Sequence, residues 1–289
     1  MTERRWISEV AFKSARQSFE VARVLHEEKT EQHHLELIEN DLLGKILLLD
    51  GAVQVTTADE FVYHEMLSHV PILSHGNVRD AMIIGGGDCG LAEEVLKHKN
   101  IENLLQVEID ASVVEFSKEH FSEFNAPVFT DPRFTLQIAD GAAFVAETDR
   151  RFDVIMVDST DPTGPGVVLF TEEFYKNLRR CLRPGGIVVT QSSVPFVQPN
   201  DFRMSMRNLS RAFDGKTTCY VASIPTYYGG HMALGFASMD VDPRKLSLDV
   251  VTERFGDLDT RYYTPEVHLA AFALPRFIAQ GLAEAKSGA

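Results

Sequence analysis

The sequence is short of cysteine, of positive charge and of long apolar runs, and each shortage removes a class of protein. Its three cysteines, Cys89, Cys181 and Cys219, lie far apart and form no Cys-x-x-Cys pair, so neither a disulfide framework nor a zinc knuckle is expected. Twenty-eight Lys and Arg stand against 42 Asp and Glu, a formal net charge of -14. That balance argues against nucleic-acid and anionic-membrane partners and permits attraction of cationic ligands. No stretch approaches the ~20 apolar residues of a membrane-spanning helix. The opening Met1-Thr2-Glu3-Arg4-Arg5-Trp6 leads into mixed polar sequence, not an apolar signal region. A cytoplasmic protein is expected.

What the sequence has in quantity is apolar residues, 44% of 289, enough for one large α/β domain plus a small appendage. Two grammars divide the chain, and domains are expected at 1–58 and 59–289. Before that point, short runs such as Leu35-Glu36-Leu37-Ile38, Lys45 to Leu49 and Val53 to Thr56 are separated by turn signals at Glu39-Asn40-Asp41 and Asp50-Gly51, which predicts antiparallel hairpins. From about Asp59, Phe61, Met66, Leu67 and Val70 line one face of a helix expected to end before Pro71.

After Asn77, strand, loop and helix repeat. The strands begin at Ala81, Leu104 and Phe134, a fourth runs from Phe152 into Asp158, and a fifth, Ile187 to Gln191, follows the turn Arg183-Pro184-Gly185-Gly186. Thr218 to Ile224 and Met232 to Ala237 read as a closing hairpin. The alternation predicts an α/β fold with a doubly wound, mostly parallel, Rossmann-like sheet.

Chemistry gathers at the strand ends. Val154 to Val157 and their neighbours are nearly all apolar, as a strand buried on both faces requires, which puts Asp158, followed by Asp161 and a Pro/Gly-rich loop, at the ligand edge of the sheet. Gly85-x-Gly87-x-x-Gly90 matches the dinucleotide fingerprint. Glu108, ~20 positions on at the end of the next strand, is placed to hold a ribose. Asp140-Gly141, after the third strand, offers a carboxylate and close-packed backbone where an adenine would sit. Asp88 inside the glycine loop would repel a pyrophosphate and attract a cation. Together these favour an adenosyl sulfonium ligand over a nicotinamide dinucleotide.

The chain resembles the polyamine aminopropyltransferases, most closely the bacterial spermidine synthases. The runs that carry this are Asp59-Glu60-Phe61-Val62-Tyr63-His64-Glu65-Met66, the Gly85 to Asp88 loop, Val107-Glu108-Ile109-Asp110, Asp131-Pro132-Arg133-Phe134, Asp140-Gly141, Asp158-Ser159-Thr160-Asp161-Pro162-Thr163-Gly164-Pro165, Ile224 to Gly230 and Phe272-Ala273-Leu274-Pro275. The resemblance implies a Rossmann-like sheet of the class I methyltransferase type under a small N-terminal antiparallel β domain, assembled as a homodimer or homotetramer. It implies transfer of aminopropyl from decarboxylated S-adenosylmethionine, a co-substrate and not a tightly bound cofactor, to a diamine, with putrescine favoured and methylthioadenosine released. It also implies residue roles: Asp158 as proton acceptor; Tyr63, His64, Asp88, Asp161 and Tyr227 around the amine groups; His33, Gly85, Gly87, Glu108, Asp140, Gly141 and Pro165 around the nucleoside.

The reaction itself asks for these types. An amine is protonated in water and attacks only through its lone pair, so a carboxylate must accept a proton at that nitrogen. Asp158 can do this while Asp161 neutralises charge on the same amine. Neighbouring carboxylates raise one another's pKa, which improves a base, and no metal site is expected. His64-Glu65-Met66-Leu67-Ser68-His69 is one residue too long for a zinc-protease motif.

The sequence departs from the family pattern at several points. His33 stands where Gln is usual, Cys89 where Gly is usual, Glu93 where Arg is common, and the usual Glu before Leu169-Phe170 is absent. A side chain at Cys89 is tolerable with a negative φ. The departures keep two rivals open: a class I S-adenosylmethionine-dependent N-methyltransferase of a small amine, and a non-catalytic nucleoside- or polyamine-binding paralogue.

Overall fold

The computed structural model describes residues 5–9, 14–29, 34–162 and 164–287. The N-terminal part is all β. Strands β1 (Trp6–Glu9) and β2 (Gln17–Glu20) form an antiparallel pair, and β3 (Arg23–Lys29), β4 (His34–Asn40), β5 (Gly44–Leu49) and β6 (Ala52–Thr56) form a four-stranded antiparallel sheet in chain order. At the β4–β5 turn Asn40 Oδ1 accepts from the backbone N–H groups of Leu42 and Leu43, and Gly44 supplies a φ of +69°. Alternation along the strands makes two apolar faces. Ile38, Ile46, Leu48 and Val53 pack with Phe19 on one, while Leu35, Leu37, Leu47 and Val55 pack with Phe121 of the following domain on the other. The second face therefore ties the two parts together.

Helix α1 (Glu60–His75) crosses between them, and it does not stop before Pro71 as expected from the sequence: Pro71 lies inside it. A helix-interior proline costs ~3 kcal/mol, but every residue from Val62 to Ser74 is buried, and burial of that many side chains outweighs one lost hydrogen bond. Gly76, in the left-handed region at φ +82°, ends the helix.

Beyond α1 come β7 (Asp80–Gly85), α2 (Gly90–Leu96), β8 (Asn103–Glu108), α3 (Ala111–His120), α4 (Ser122–Asn125), β9 (Phe134–Ile138), α5 (Gly141–Glu147) and β10 (Phe152–Asp158). Then follow α6 (Glu172–Arg180), β11 (Leu182–Gln191), α7 (Pro199–Ala212), β12 (Thr217–Ser223), β13 (His231–Ser238), α8 (Leu248–Phe255), α9 (Pro265–Ala270) and α10 (Arg276–Ser287). The seven strands form one sheet in the order β12-β13-β11-β10-β7-β8-β9. Strands β7 to β11 are mutually parallel, and the β12–β13 hairpin closes the sheet antiparallel to β11. The expected turn at Arg183–Gly186 falls within β11, where the pairing with β10 slips from Phe152↔Leu182 to Val154↔Ile187. It is thus an irregularity of the strand. Apolar layers of helices cover both faces of the sheet, as the unbroken apolar runs of β7 and β10 require.

Chain order reverses between β7 and β10, which lie side by side with Asp158 paired to Gly85. The crevice at such a reversal, outside the carboxyl ends of the strands, is where this architecture binds ligands.

Candidate active site

Glycine lets the two central strands meet at this crevice. Gly85 has φ +83°, and a Cβ there would lie 2.0 Å from the carbonyl oxygen of Asp158. The backbone N–H of Gly86 donates to that same oxygen at 3.0 Å. Gln106 of β8 donates through Nε2 to the carbonyls of Gly85 and Gly86, at 2.9 and 2.6 Å. The glycine loop is thereby fixed against the start of the Asp158–Pro165 segment.

Asp158 sits among acids. Tyr63 of α1 donates its hydroxyl to Oδ1 at 2.9 Å. Burial, and next to it the charge of Asp88, push the Asp158 carboxyl up to about 7, against the opposing effects of His64 and the Tyr63 hydrogen bond. Asp88 goes the other way. Although burial acts to raise it, the adjoining His64 charge and hydrogen bond, with the Gly90 N–H donating to Oδ1 at 2.9 Å, hold it below the usual carboxylate range. His64 fits between Glu60 Oε2, 2.8 Å from Nδ1, and Asp88 Oδ2, 3.4 Å from Nε2. Burial works to discharge the ring, yet Asp88 and Glu60 outweigh it and raise its pKa well above the usual value. Gly90 makes the room, since a Cβ there would lie 2.3 Å from the imidazole.

Asp161 is held differently. Its Oδ1 accepts from Gln191 Nε2 at 3.0 Å and its Oδ2 from Gln198 Nε2 at 2.5 Å. Each glutamine is itself aimed by its own carbonyl oxygen, which accepts from the backbone N–H of Ser193 and Val194 respectively. Tyr227 reaches across to the N-terminal sheet, donating its hydroxyl to Gln54 O at 2.8 Å, and its ring lies edge-on to Tyr63. The preceding Thr226 donates N–H and hydroxyl to Asp59 Oδ2, and its carbonyl accepts from Gln17 Nε2. A recess lined by Val55, Asp59, Tyr63, His64, Ile224 and Tyr227 opens between these segments.

Toward β8 and β9, Glu108 is buried at the end of β8, accepts from the N–H of Asp110 at 2.9 Å, and is raised by burial. A Cβ on Gly87 would come within 3.3 Å of Glu108 Oε2, so that glycine keeps the carboxylate open to the loop. Asp140 caps α5 with Oδ1, which accepts from the N–H groups of Ala142 and Ala143, leaving Oδ2 for a ligand. Gly141 packs against Ile84, where a Cβ would meet Cγ2 at 2.5 Å. Exposed Ile109 and Ile138 flank Glu108 and Asp140. His33 lies outside the described residues. Pro165 falls in a short 3-10 helix, Gly164–Phe170, and its side chain also lies outside them.

Two expectations change. Cys89 has φ +61°, not the negative φ at which a side chain costs nothing; a left-handed non-glycine residue costs roughly 1–2 kcal/mol. Its side chain points into the core and is fully buried, so it packs the base of the loop and does not narrow its mouth. Burial first, then the carboxylates of Asp88 and Glu108 from other loops, raise Asp158, and its sequence neighbour Asp161 is not among these causes.

The structure thus brings together Tyr63, His64, Asp88 and Asp158 at the centre, Asp161 and Tyr227 to one side, and Glu108, Asp140 and Gly141 to the other. The sequence reasoning missed four participants. Glu60 stands one helical turn before His64, a visible i,i+4 signal. Gln191 and Gln198 had no motif to announce them. Glu9 of β1 is buried, accepts from Gln17 and the Val53 N–H, and is raised by burial, with a further upward push from Asp161. It therefore faces the Asp161 side from the N-terminal domain. His64, Asp88 and Asp158 each offer one atom within 4.8 Å of the others, a set that suits an ammonium.

A spermine/spermidine synthase domain matches residues 60–245. The chain belongs to that family. A spermidine synthase tetramerisation domain matches residues 5–57. Among curated family members, the polyamine aminopropyltransferase of Ruegeria sp. (strain TM1040) is 48% identical over 280 residues, 96% of this chain and 98% of the relative. Polyamine aminopropyltransferase 1 of Pseudomonas aeruginosa is 47% identical over 276 residues, 95% of this chain and 96% of the relative. A crystal structure of spermidine synthase in complex with the transition state analogue AdoDATO superposes with a TM-score of 0.91 at 35% identity, covering 98% of this chain and 97% of that one. Spermidine synthase from Thermotoga maritima gives 0.88 at 34% identity, covering 98% and 96%. The expected family, fold class and aminopropyltransferase activity are borne out. Among the described residues no helix is long and apolar enough to cross a membrane.

Proposed function

We propose that this spermidine synthase family member transfers the aminopropyl group of decarboxylated S-adenosylmethionine to a diamine, putrescine foremost, and releases methylthioadenosine. The observation that carries this is the pair of unlike carboxylates at the end of β10: Asp158, raised to about 7, and Asp161, fixed by two amide donors.

In this reading Glu108 holds the ribose and Asp140 with Gly141 meets the adenine. Asp88, aided by His64, receives the terminal ammonium of the aminopropyl chain. The acceptor diamine lies between Tyr63, Tyr227 and Asp161. Its reacting nitrogen passes a proton to Asp158 and, with its lone pair free, attacks the carbon beside the sulfonium. The carbon–sulfur bond breaks, its electrons stay on sulfur, and neutral methylthioadenosine leaves. A base with a pKa near the working pH is the efficient choice, and Tyr63 keeps the Asp158 carboxyl in one orientation. Holding both substrates in line supplies much of the rate. Glu9 extends the acidic wall toward the far amine. The N-terminal residues 5–57 support assembly into a homodimer or homotetramer, and the site of action is the cytoplasm.

The test is to incubate purified protein with decarboxylated S-adenosylmethionine and putrescine, cadaverine, 1,3-diaminopropane, agmatine or spermidine, following methylthioadenosine. Release is expected, fastest with putrescine. No release with any amine, together with tight methylthioadenosine binding, would instead establish a non-catalytic binding protein.

A further inference from the structure

Glu60, His64 and Asp88 form a line in which a buried imidazole is held from both sides. Nδ1 lies 2.8 Å from Glu60 Oε2 and Nε2 3.4 Å from Asp88 Oδ2, with the His64 side chain 3% exposed and that of Glu60 8%. Nδ1 is hydrogen-bonded to Glu60 and Nε2 lies at ion-pair distance from Asp88, an arrangement with a carboxylate at each nitrogen that suits the ring as an imidazolium. A ligand ammonium, however, has three donors and no acceptor. Asp88, Asp158 and His64 converge to within 4.8 Å and can surround an ammonium with three acceptors only when Nε2 carries a lone pair. A charged ring also repels a second cation at Asp88, in a site where burial leaves little screening.

Resting on the reading that Asp88 receives the donor's ammonium, we propose that decarboxylated S-adenosylmethionine binds in exchange for the His64 proton. The ammonium replaces the Nε2–H against Asp88 and the proton leaves to solvent. Neutral His64, its Nδ1–H directed at Glu60, then accepts a hydrogen bond from the ammonium. One cation replaces another, so the charge of the cluster is unchanged. Glu60 is the positioning residue: by accepting from Nδ1 it leaves Nε2 as the acceptor in the neutral ring.

Other groups facing His64 are Glu94 of α2 and Asp158 of β10, with the rings of Tyr63 and Phe124, while Arg261 approaches Glu60 at 4.0 Å. Asp158 is pushed up to about 7, so the donor's sulfonium, a charge the exchange does not offset, also tends to expel its proton, and the test must separate the two. Because proton and donor compete, donor affinity rises with pH, by up to about tenfold per unit where His64 is charged in the free protein and neutral in the complex.

Calorimetric titration at pH 7 in phosphate and in Tris, buffers of different ionisation enthalpy, counts the protons released. Decarboxylated S-adenosylmethionine is expected to release about one proton from His64 and methylthioadenosine, which lacks the ammonium, none. Asp158→Asn should retain that release, and His64→Gln should bind the donor without it. Equal release from wild type and His64→Gln, or donor binding to wild type without release, overturns the exchange. If Asp88→Asn binds the donor as tightly as wild type does, the Asp88 assignment falls, and the exchange with it.

Discussion

Asp158 and Asp161 stand three residues apart at the end of one strand, yet their surroundings are opposite. Asp158 faces another carboxylate, a buried imidazolium and a tyrosine hydroxyl, and is pushed up to about 7. Asp161 has each oxygen bonded to a glutamine amide. Amide donors orient a carboxylate without supplying a proton, whereas burial beside a like charge makes ionisation costly and so makes a base. In the proposed mechanism two identical side chains are thus divided into proton acceptor and fixed counter-charge by what the other loops bring to them.

The largest expected effect breaks the Asp158 half of that contrast. Asp158→Asn should lower kcat by roughly 10²- to 10⁴-fold, the usual range for a general base. The same variant should stabilise the fold in alkaline solution. A carboxyl near 7 in the folded chain and ~3.9 when unfolded takes up a proton on folding; the stability this gives is complete below the unfolded value and is lost as pH rises to 7. Thermal unfolding should show Asp158→Asn gaining on wild type by about 2–3 kcal/mol more at pH 8 than at pH 5. An equal gain at both pH values would mean Asp158 is ionised throughout.

Next in size is the Asp161 half. Asp161→Asn removes a charge-assisted contact of about 1.5–3 kcal/mol, so the acceptor KM should rise by between about tenfold and a hundredfold while donor affinity is unchanged. A matching loss of donor affinity would show that the two carboxylates act as one site. Smaller still, Gln198→Leu leaves Asp161 Oδ2 without its amide donor and should weaken acceptor binding by less than the charge deletion, with the pH profile of kcat unmoved. If the profile shifts, the glutamines are tuning Asp158 and the separation of roles is wrong.

The smallest effect concerns the base of the loop. Cys89→Gly relieves a left-handed φ worth roughly 1–2 kcal/mol but empties the place of a fully buried thiol, so stability should move by less than about 1 kcal/mol. A larger loss would show that the thiol's packing holds the glycine loop in place.

The parallel sheet was readable because β7 and β10 carry the apolar runs Ala81–Ile84 and Val154–Val157, β8 is apolar but for Gln106 between its ends, and each strand ends in glycine or acid; the crevice followed from their order. The N-terminal hairpins were readable from alternation and turn residues. Helix α1 was cut short at Pro71 because a local rule was applied where burial decides. Tyr63, His64, Asp88 and Asp158, named from motif loops far apart in the chain, lie together at the end of β10. Gln191, Gln198 and Glu9 did not announce themselves, since each acts through a contact made only when strands distant in the chain converge. The surroundings of Asp158 were not legible within its own loop: burial acts first and Asp88, on the loop after the neighbouring strand β7, next, and no spacing within Asp158–Pro165 encodes either.

The most direct measurement is the titration of the Asp158 carboxyl in the ligand-free protein, by carbon-13 NMR of labelled aspartate with Asp158→Asn to assign the signal. A midpoint near 7 is the expected result. A midpoint in the ordinary aspartate range, near ~4, would contradict the assignment of Asp158 as the base set apart by its surroundings.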